Sequence, residues 1–150
     1  FAARTKTPWK QSLVWQNGEE PAAGVVGAGK GVGLDLEFDL GENPGPVELA
    51  FGLSLVSVEG AKLNLESEIP TFDFEETSSD TAAEWDGLTG RVRFEGGLEE
   101  DRIKMTAALY HLFLMPSVMS DADGSFVALD GSVKKAEGFR YLSDMSLGEF

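Results

Sequence analysis

The residues of this chain with the most obvious chemical use are Asp121 and Asp123, in the run Asp121-Ala-Asp-Gly124. Alternating carboxylates ahead of a glycine are how an EF-hand calcium loop begins. Such a loop needs further oxygen ligands and a bidentate glutamate, whereas Ser125, Phe126 and Val127 follow here. We therefore read the run as a capped turn leading into a hairpin. His111 is the only histidine, so no His-pair metal site can form, and a Ser-His-Asp triad would have one candidate base. It lies in an apolar helical stretch and reads as a satisfied core histidine. Gly29, Gly31 and Gly33 do not make a phosphate loop, because Lys30 precedes a strand and no helix follows. Turn chemistry accounts for them. With no cysteine, disulfides and thiolate metal sites are excluded.

The formal charge of −14 argues against nucleic acid as a partner, since phosphate binding needs clustered Lys and Arg and the basic residues here are scattered. The bland reading of that charge is a solvated surface; the sharper one is cation binding or a salty habitat. The 150 residues suit one ordinary domain with normal apolar content. No apolar run reaches the roughly 18–20 residues of a membrane span, and the opening residues do not read as a signal peptide.

The elements that must position these groups fall into two kinds. Residues 1–57 read as all-β. A strand is expected over residues 11–15, followed by the Asn17-Gly18 turn signal. Residues 21–31 read as loop, with Val25 and Val26 as a short strand within it. Val32, Leu34, Leu36, Phe38 and Leu40 alternate with Gly33, Asp35, Glu37 and Asp39. Val47, Leu49, Phe51, Leu53 and Leu55 form one face of a second strand, opposite Glu48, Ala50, Gly52 and Ser54. Turn residues fill 41–46, so these two strands are expected to pair as an antiparallel hairpin with one wet face.

At Glu59-Gly60 the alternation stops. Phe74, Ser78, Thr81, Trp85, Leu88 and Val92 lie at helical spacing. Ser78, Ser79 and Asp80 offer N-caps, and Gly87 and Gly90 end that helix. Residues 91–94 suit a short strand. Residues 98–114 form the clearest helix, with Glu99, Glu100 and Asp101 in its first turn, where the helix dipole favours acids. Ile103, Ala107, Tyr110 and Leu114 make one stripe, and Met105, Leu109, Leu112 and Phe113 cover much of the rest. A helix apolar nearly all round is expected to be buried on most sides. Residues 126–129 and 133–135 flank Asp130-Gly131, a hairpin signal.

Two long blocks carry a resemblance. Residues 53–70 read Leu-Ser-Leu-Val-Ser-Val-Glu-Gly-Ala-Lys-Leu-Asn-Leu-Glu-Ser-Glu-Ile-Pro, and residues 106–124 read Thr-Ala-Ala-Leu-Tyr-His-Leu-Phe-Leu-Met-Pro-Ser-Val-Met-Ser-Asp-Ala-Asp-Gly. Both resemble signatures of glycoside hydrolase family 92, the exo-acting alpha-mannosidases. Gly29 to Gly33, Phe72-Asp-Phe74 with Trp85, Leu129-Asp-Gly131 and Tyr141-Leu-Ser-Asp-Met-Ser-Leu147 echo the family in its own order.

The resemblance implies an α+β chain. Residues 1–57 would be the C-terminal strands of an N-terminal β-sandwich, 58–97 a helical linker, and 98–150 the first helix and opening of an (α/α)6 barrel. It also implies an internal slice of a longer enzyme. The parent would release terminal alpha-linked mannose from glycans by a calcium-assisted inverting reaction. Inversion needs a carboxylic acid for the leaving oxygen and a carboxylate to activate water. The resemblance puts both, and the calcium ligands, later in the barrel, so no catalytic or metal residue is expected here and the segment alone should be inactive. The family's Trp-Asp pair that contacts mannose falls at Gly148 and Glu149. Glu149 can still accept hydrogen bonds from sugar hydroxyls, but Gly148 offers no aromatic platform. Trp85 is assigned to packing; Trp9 and Trp15 stay open between stacking on sugar rings and core, with core preferred. Implied partners are mannose-containing glycans and the rest of the parent polypeptide; the implied location is secreted or periplasmic. The alternatives are a non-catalytic β-sandwich protein that binds carbohydrate or a partner, or a degenerate remnant without a sugar site.

Overall fold

The structure, a computed structural model, describes residues 1–42 and 44–142. It is mixed α+β, with small antiparallel sheets and three helices. The chain divides into two compact units, one of residues 3–50 and the other of residues 51 onward with the first two.

The first unit is built on strands. β1 (Ala2–Thr5) pairs with β5 (Leu49–Gly52), while β2 (Gln11–Gln16), β3 (Ala22–Ala23) and β4 (Val32–Glu37) form a sheet in the order β3-β2-β4. The expected hairpin between the strands starting near Val32 and Val47 is not what forms. β4 runs antiparallel to β2 in a six-residue register from Gln11 opposite Glu37 to Gln16 opposite Val32. The connection after β4 carries Pro44 and Pro46, whose fixed φ and missing N–H groups suit a long excursion better than a tight hairpin. The β2–β4 pair offers better side-chain partners. Val14 faces Leu34, Lys10 pairs with Glu37 at 3.2 Å, and the Trp15 indole N–H donates to Asp35 at 3.1 Å. The Trp15 ring covers Gly33, where a Cβ would lie 2.1 Å from it, so Gly33 serves close approach and not a turn. Gly29 and Gly31 have positive φ, as turn chemistry requires. The short strand falls at Ala22–Ala23 and not at Val25 and Val26.

The strand expected over residues 47–55 is shorter, and its packed face is reversed. Ala50 and Gly52 are buried, while Phe51 is 55% and Leu53 73% exposed. The cause is steric. A Cβ on Gly52 would lie 2.1 Å from the carbonyl oxygen of Ala61 and 2.7 Å from Leu65 Cβ, so Gly52 faces the following helix.

That helix, α1 (Val58–Glu68), is capped by Ser57, whose hydroxyl accepts the Gly60 N–H at 2.9 Å. Its buried residues are Ala61 and Leu65. α2 (Phe74–Thr89) begins a turn earlier than Ser78 to Asp80 suggested, because Asp73 accepts the Glu76 N–H at 2.9 Å. Gly87 lies within α2, and Gly90 caps it. Residues 91–94 form no strand. α3 (Glu99–Phe113) matches its expected span, and α2 packs on it through Trp85 and Tyr110, ring centroids 4.5 Å apart. The packing role read for Trp85 therefore holds.

The burial expected of α3 does not: none of its residues is buried, and Ile103 is 60% exposed. His111 is exposed rather than a core histidine, and Trp9 and Trp15 are partly exposed, at 43% and 37%. Among the described residues the buried apolar ones are Ala50, Ala61 and Leu65. β6 (Ser117–Val118) pairs with β9 (Tyr141–Leu142), and β7 (Ser125–Val127) with β8 (Val133–Lys135), the latter closed by the expected Asp130-Gly131 turn. No helix among the described residues is long and apolar enough to cross a membrane.

Two glycines should respond in opposite directions. Gly52→Ala should cost about 1–3 kcal/mol by overpacking against α1. Gly87→Ala, with open space around its Cβ and a helical backbone, should gain about 0.5–1 kcal/mol. Urea unfolding midpoints of the two variants test the pair.

Candidate functional site

The described residues of the second unit enclose a cleft of about 590 Å³ between the end of β5, α1 and the segment after β6. Ser54, Asn64, Glu68, Ser120 and Asp121 supply its polar lining, while Leu53 and Leu55 belong to its apolar wall. The geometry starts at Ser54, the residue that stops the strand. Its hydroxyl oxygen accepts the N–H groups of Val56 at 2.9 Å and Ser57 at 3.2 Å, folding the chain into the first turn of α1. With both lone pairs engaged, Ser54 has its proton to give, and it donates to Asp121 Oδ2 at 2.8 Å.

Asn64, one face of α1 further on, is fixed in the same way. Its Oδ1 accepts the Ala122 N–H at 2.7 Å, so its Nδ2 is the donor end. Nδ2 then donates to the Leu53 carbonyl at 2.7 Å and to Asp121 Oδ1 at 2.8 Å. Asp121 is only 4% exposed and makes no ion pair among the described residues. Gly60 leaves the space it occupies: a Cβ there would lie 2.2 Å from Asp121 Oδ2. The first turn of α1, where backbone N–H groups converge, faces a negative charge.

Asp121-Ala-Asp-Gly124 is thus a turn, as its sequence suggested. The Gly124 N–H donates to Asp121 O at 2.8 Å, and Gly124 takes a φ of +86°. The Asp123 carboxylate accepts the Ser125 N–H at 2.9 Å and the Ser125 hydroxyl at 3.0 Å, and Lys135 reaches it at 3.0 Å. These contacts, the backbone bond foremost, hold the Asp123 carboxyl at about 2, down from its ordinary 3.8. Ser132 and Lys134 lower Asp130 in the same sense. No group of three or more His, Asp or Glu side chains among the described residues is arranged to hold a metal ion.

Gly148 and Glu149 lie outside the described residues. Ser54 and Asn64 had no role assigned from sequence. The signal available was a polar residue on each of two apolar runs, Ser54 among Leu53 and Leu55, and Asn64 between Leu63 and Leu65.

A profile of the glycosyl hydrolase family 92 catalytic domain matches residues 60–148, more than half of the chain. The chain belongs to glycosyl hydrolase family 92. Solved structures of that family share its fold. An inverting mannosidase of Bacteroides thetaiotaomicron superposes with a TM-score of 0.76 at 21% identity, over 93% of this chain and 19% of that one. An alpha-mannosidase from the same bacterium gives 0.72 at 23% identity, over 93% and 20%. The family glycosyl hydrolase ccman5 gives 0.72 at 27% identity, over 94% and 19%. The family 92 chain therefore spans about a fifth of the length of these relatives. A further structure holds the B. thetaiotaomicron alpha-mannosidase in complex with mannoimidazole. No curated protein sequence matches the chain.

Because the folded value for Asp123 is depressed, whatever its ionisation contributes to the turn is complete above pH 3.8 and is lost as the pH falls through about 2. The carboxyl carbon shift of Asp123, followed by NMR, should titrate with a midpoint near 2; a midpoint near 3.8 would refute the turn geometry.

Proposed function

We propose that this chain works as the sandwich-to-barrel junction of a family 92 exo-alpha-mannosidase that releases terminal alpha-linked mannose from glycans with inversion. On this reading residues 1–57 close the N-terminal β-sandwich, 58–97 link it, and 98–150 open the (α/α)6 barrel. The observation that carries the reading is the family 92 match running from Gly60, at the first turn of α1, to Gly148. The exposed apolar side chains of α3, Ile103 and Leu112 among them, support it, since such side chains call for a partner that covers them.

The chain's own residues do binding and support, not bond cleavage. Inverting hydrolysis calls for one carboxylic acid and one carboxylate about 6.5–9.5 Å apart across the sugar. Asp121, the buried carboxylate of the cleft, has each oxygen held by a donor, Ser54 and Asn64, and is given a structural role on this reading. The reacting pair and the calcium ligands belong to residues beyond these. Within this chain Glu149 is the sugar contact, accepting hydrogen bonds from hydroxyls of the terminal mannose beside Gly148, where the aromatic platform is lost. The enzyme works outside the cytoplasm, secreted or periplasmic, where it meets glycans.

The test uses the full-length protein carrying these residues and an aryl alpha-mannoside, with the first-formed mannose anomer read by proton NMR. Beta-mannose should appear first, activity should vanish on chelation and return with calcium, and Glu149→Ala should lower kcat/KM by roughly 10- to 100-fold, the range expected for charge-assisted hydrogen bonds. Release of the alpha anomer first, or of no mannose at all, would defeat the proposal.

A further inference from the structure

The register of β2 on β4 puts a large aromatic ring on the wet side of the sheet. Ser12, Val14, Leu34 and Leu36 share one face, and Gln11, Leu13, Trp15, Gly33, Asp35 and Glu37 share the other. The first face is mostly apolar and is the one that calls for a covering layer. The second carries two carboxylates and the ion pair of Lys10 with Glu37, so it is the solvent face. Trp15 belongs to that solvent face and is partly exposed. A tryptophan among carboxylates on this side of a strand is not filling a core.

The ring is seated, not loose. A Cβ on Gly33 would lie 2.1, 2.3 and 2.8 Å from Cζ2, Cε2 and Cη2 of Trp15, three contiguous ring atoms. That geometry lays one ring face over the glycine backbone. The indole N–H donates to Asp35 Oδ1 at 3.1 Å and so fixes how the ring is turned. Among the described residues no other aromatic ring packs on Trp15, and Asp35 Oδ2 has no hydrogen-bond partner. The ring therefore presents its second face outward, beside an acceptor with capacity to spare.

A flat apolar surface edged by an acceptor suits the C–H face of a pyranose whose hydroxyls donate to the carboxylate. Because the ring is already held, stacking on it costs little further side-chain ordering. The charge around it narrows the ligand: Asp35 and Glu37 disfavour phosphate and carboxylate groups, so the sugar is a neutral one. We infer that Trp15, seated on Gly33 and held by Asp35, is a stacking platform for a neutral sugar ring, a carbohydrate contact of the strand unit. The choice of mannose as that sugar rests on the mannosidase reading; the platform rests on the register and the ring contacts alone.

The test is affinity electrophoresis of the full-length protein through gels containing soluble alpha-mannan, where retardation gives a dissociation constant. The parent should be retarded. Trp15→Ala should weaken binding by about tenfold, the scale of one lost stacking partner. Gly33→Ala keeps Trp15 and Asp35 but puts a methyl where the ring lies, and should weaken binding by a similar factor. Val14→Ala, on the opposite face, should leave the retardation as in the parent. No retardation of the parent overturns the platform, and so does equal retardation of parent and Trp15→Ala. Equal weakening in Val14→Ala also overturns it, since the effect would then not belong to the ring. Trp15-dependent binding of oligolysine with none of mannan overturns it in favour of a cationic peptide held over the indole. Should Trp15→Ala fail to fold, an unchanged constant in Gly33→Ala overturns it. A parent that cleaves no aryl mannoside yet is retarded through Trp15 defeats the proposed function and leaves the platform standing.

Discussion

The close approach of α1 to its surroundings is the constraint on which the second unit depends. Gly52 lets the strand end lie against the Ala61 carbonyl, and Gly60 opens the space that Asp121 fills. A side chain at either position would collide with backbone or with a carboxylate oxygen. Without that proximity Ser54 and Asn64 could not reach Asp121 at 2.8 Å, and a buried carboxylate without a cation would be left short of donors. Tight backbone packing and a saturated polar cluster are here two sides of one arrangement.

Saturation also decides what the cluster can do. A carboxylate available for acid or base work must face substrate, whereas Asp121 is 4% exposed and each of its oxygens is held by a donor. Its strength lies in fixing the stretch of Ser54 and Asn64 to a residue 67 and 57 positions further on. Asp123, two residues on, is exposed and held by local contacts to Ser125 and Lys135, so it stabilises its own turn. Two carboxylates that look equivalent in sequence serve a long-range anchor and a local cap.

The helices illustrate a second principle. α3 carries Ile103, Met105, Tyr110 and Leu112, yet none of its residues is buried, and Trp85 on Tyr110 is the main aromatic contact between α2 and α3. The chain spans about a fifth of the family 92 structures that share its fold, and a covering partner is what the apolar pattern of α3 calls for.

Local signals in the sequence determined the span of α3, the Asn17-Gly18 and Asp130-Gly131 turns, and the capped turn at Asp121 to Gly124, because periodicity, glycine conformations and short-range hydrogen bonds depend on near neighbours. The family signature was legible for the same reason: its two blocks are continuous runs. The strand partners and inner faces were decided by tertiary structure. β4 chose β2 through cross-strand contacts of Trp15, Val14 and Lys10, and Gly52 faces α1 because the helix lies too close for a larger side chain. The meeting of Ser54 and Asn64 with Asp121, 67 and 57 residues away, was equally beyond any local pattern. Alternation along a strand shows that two faces differ, but which face is buried depends on what arrives to cover it.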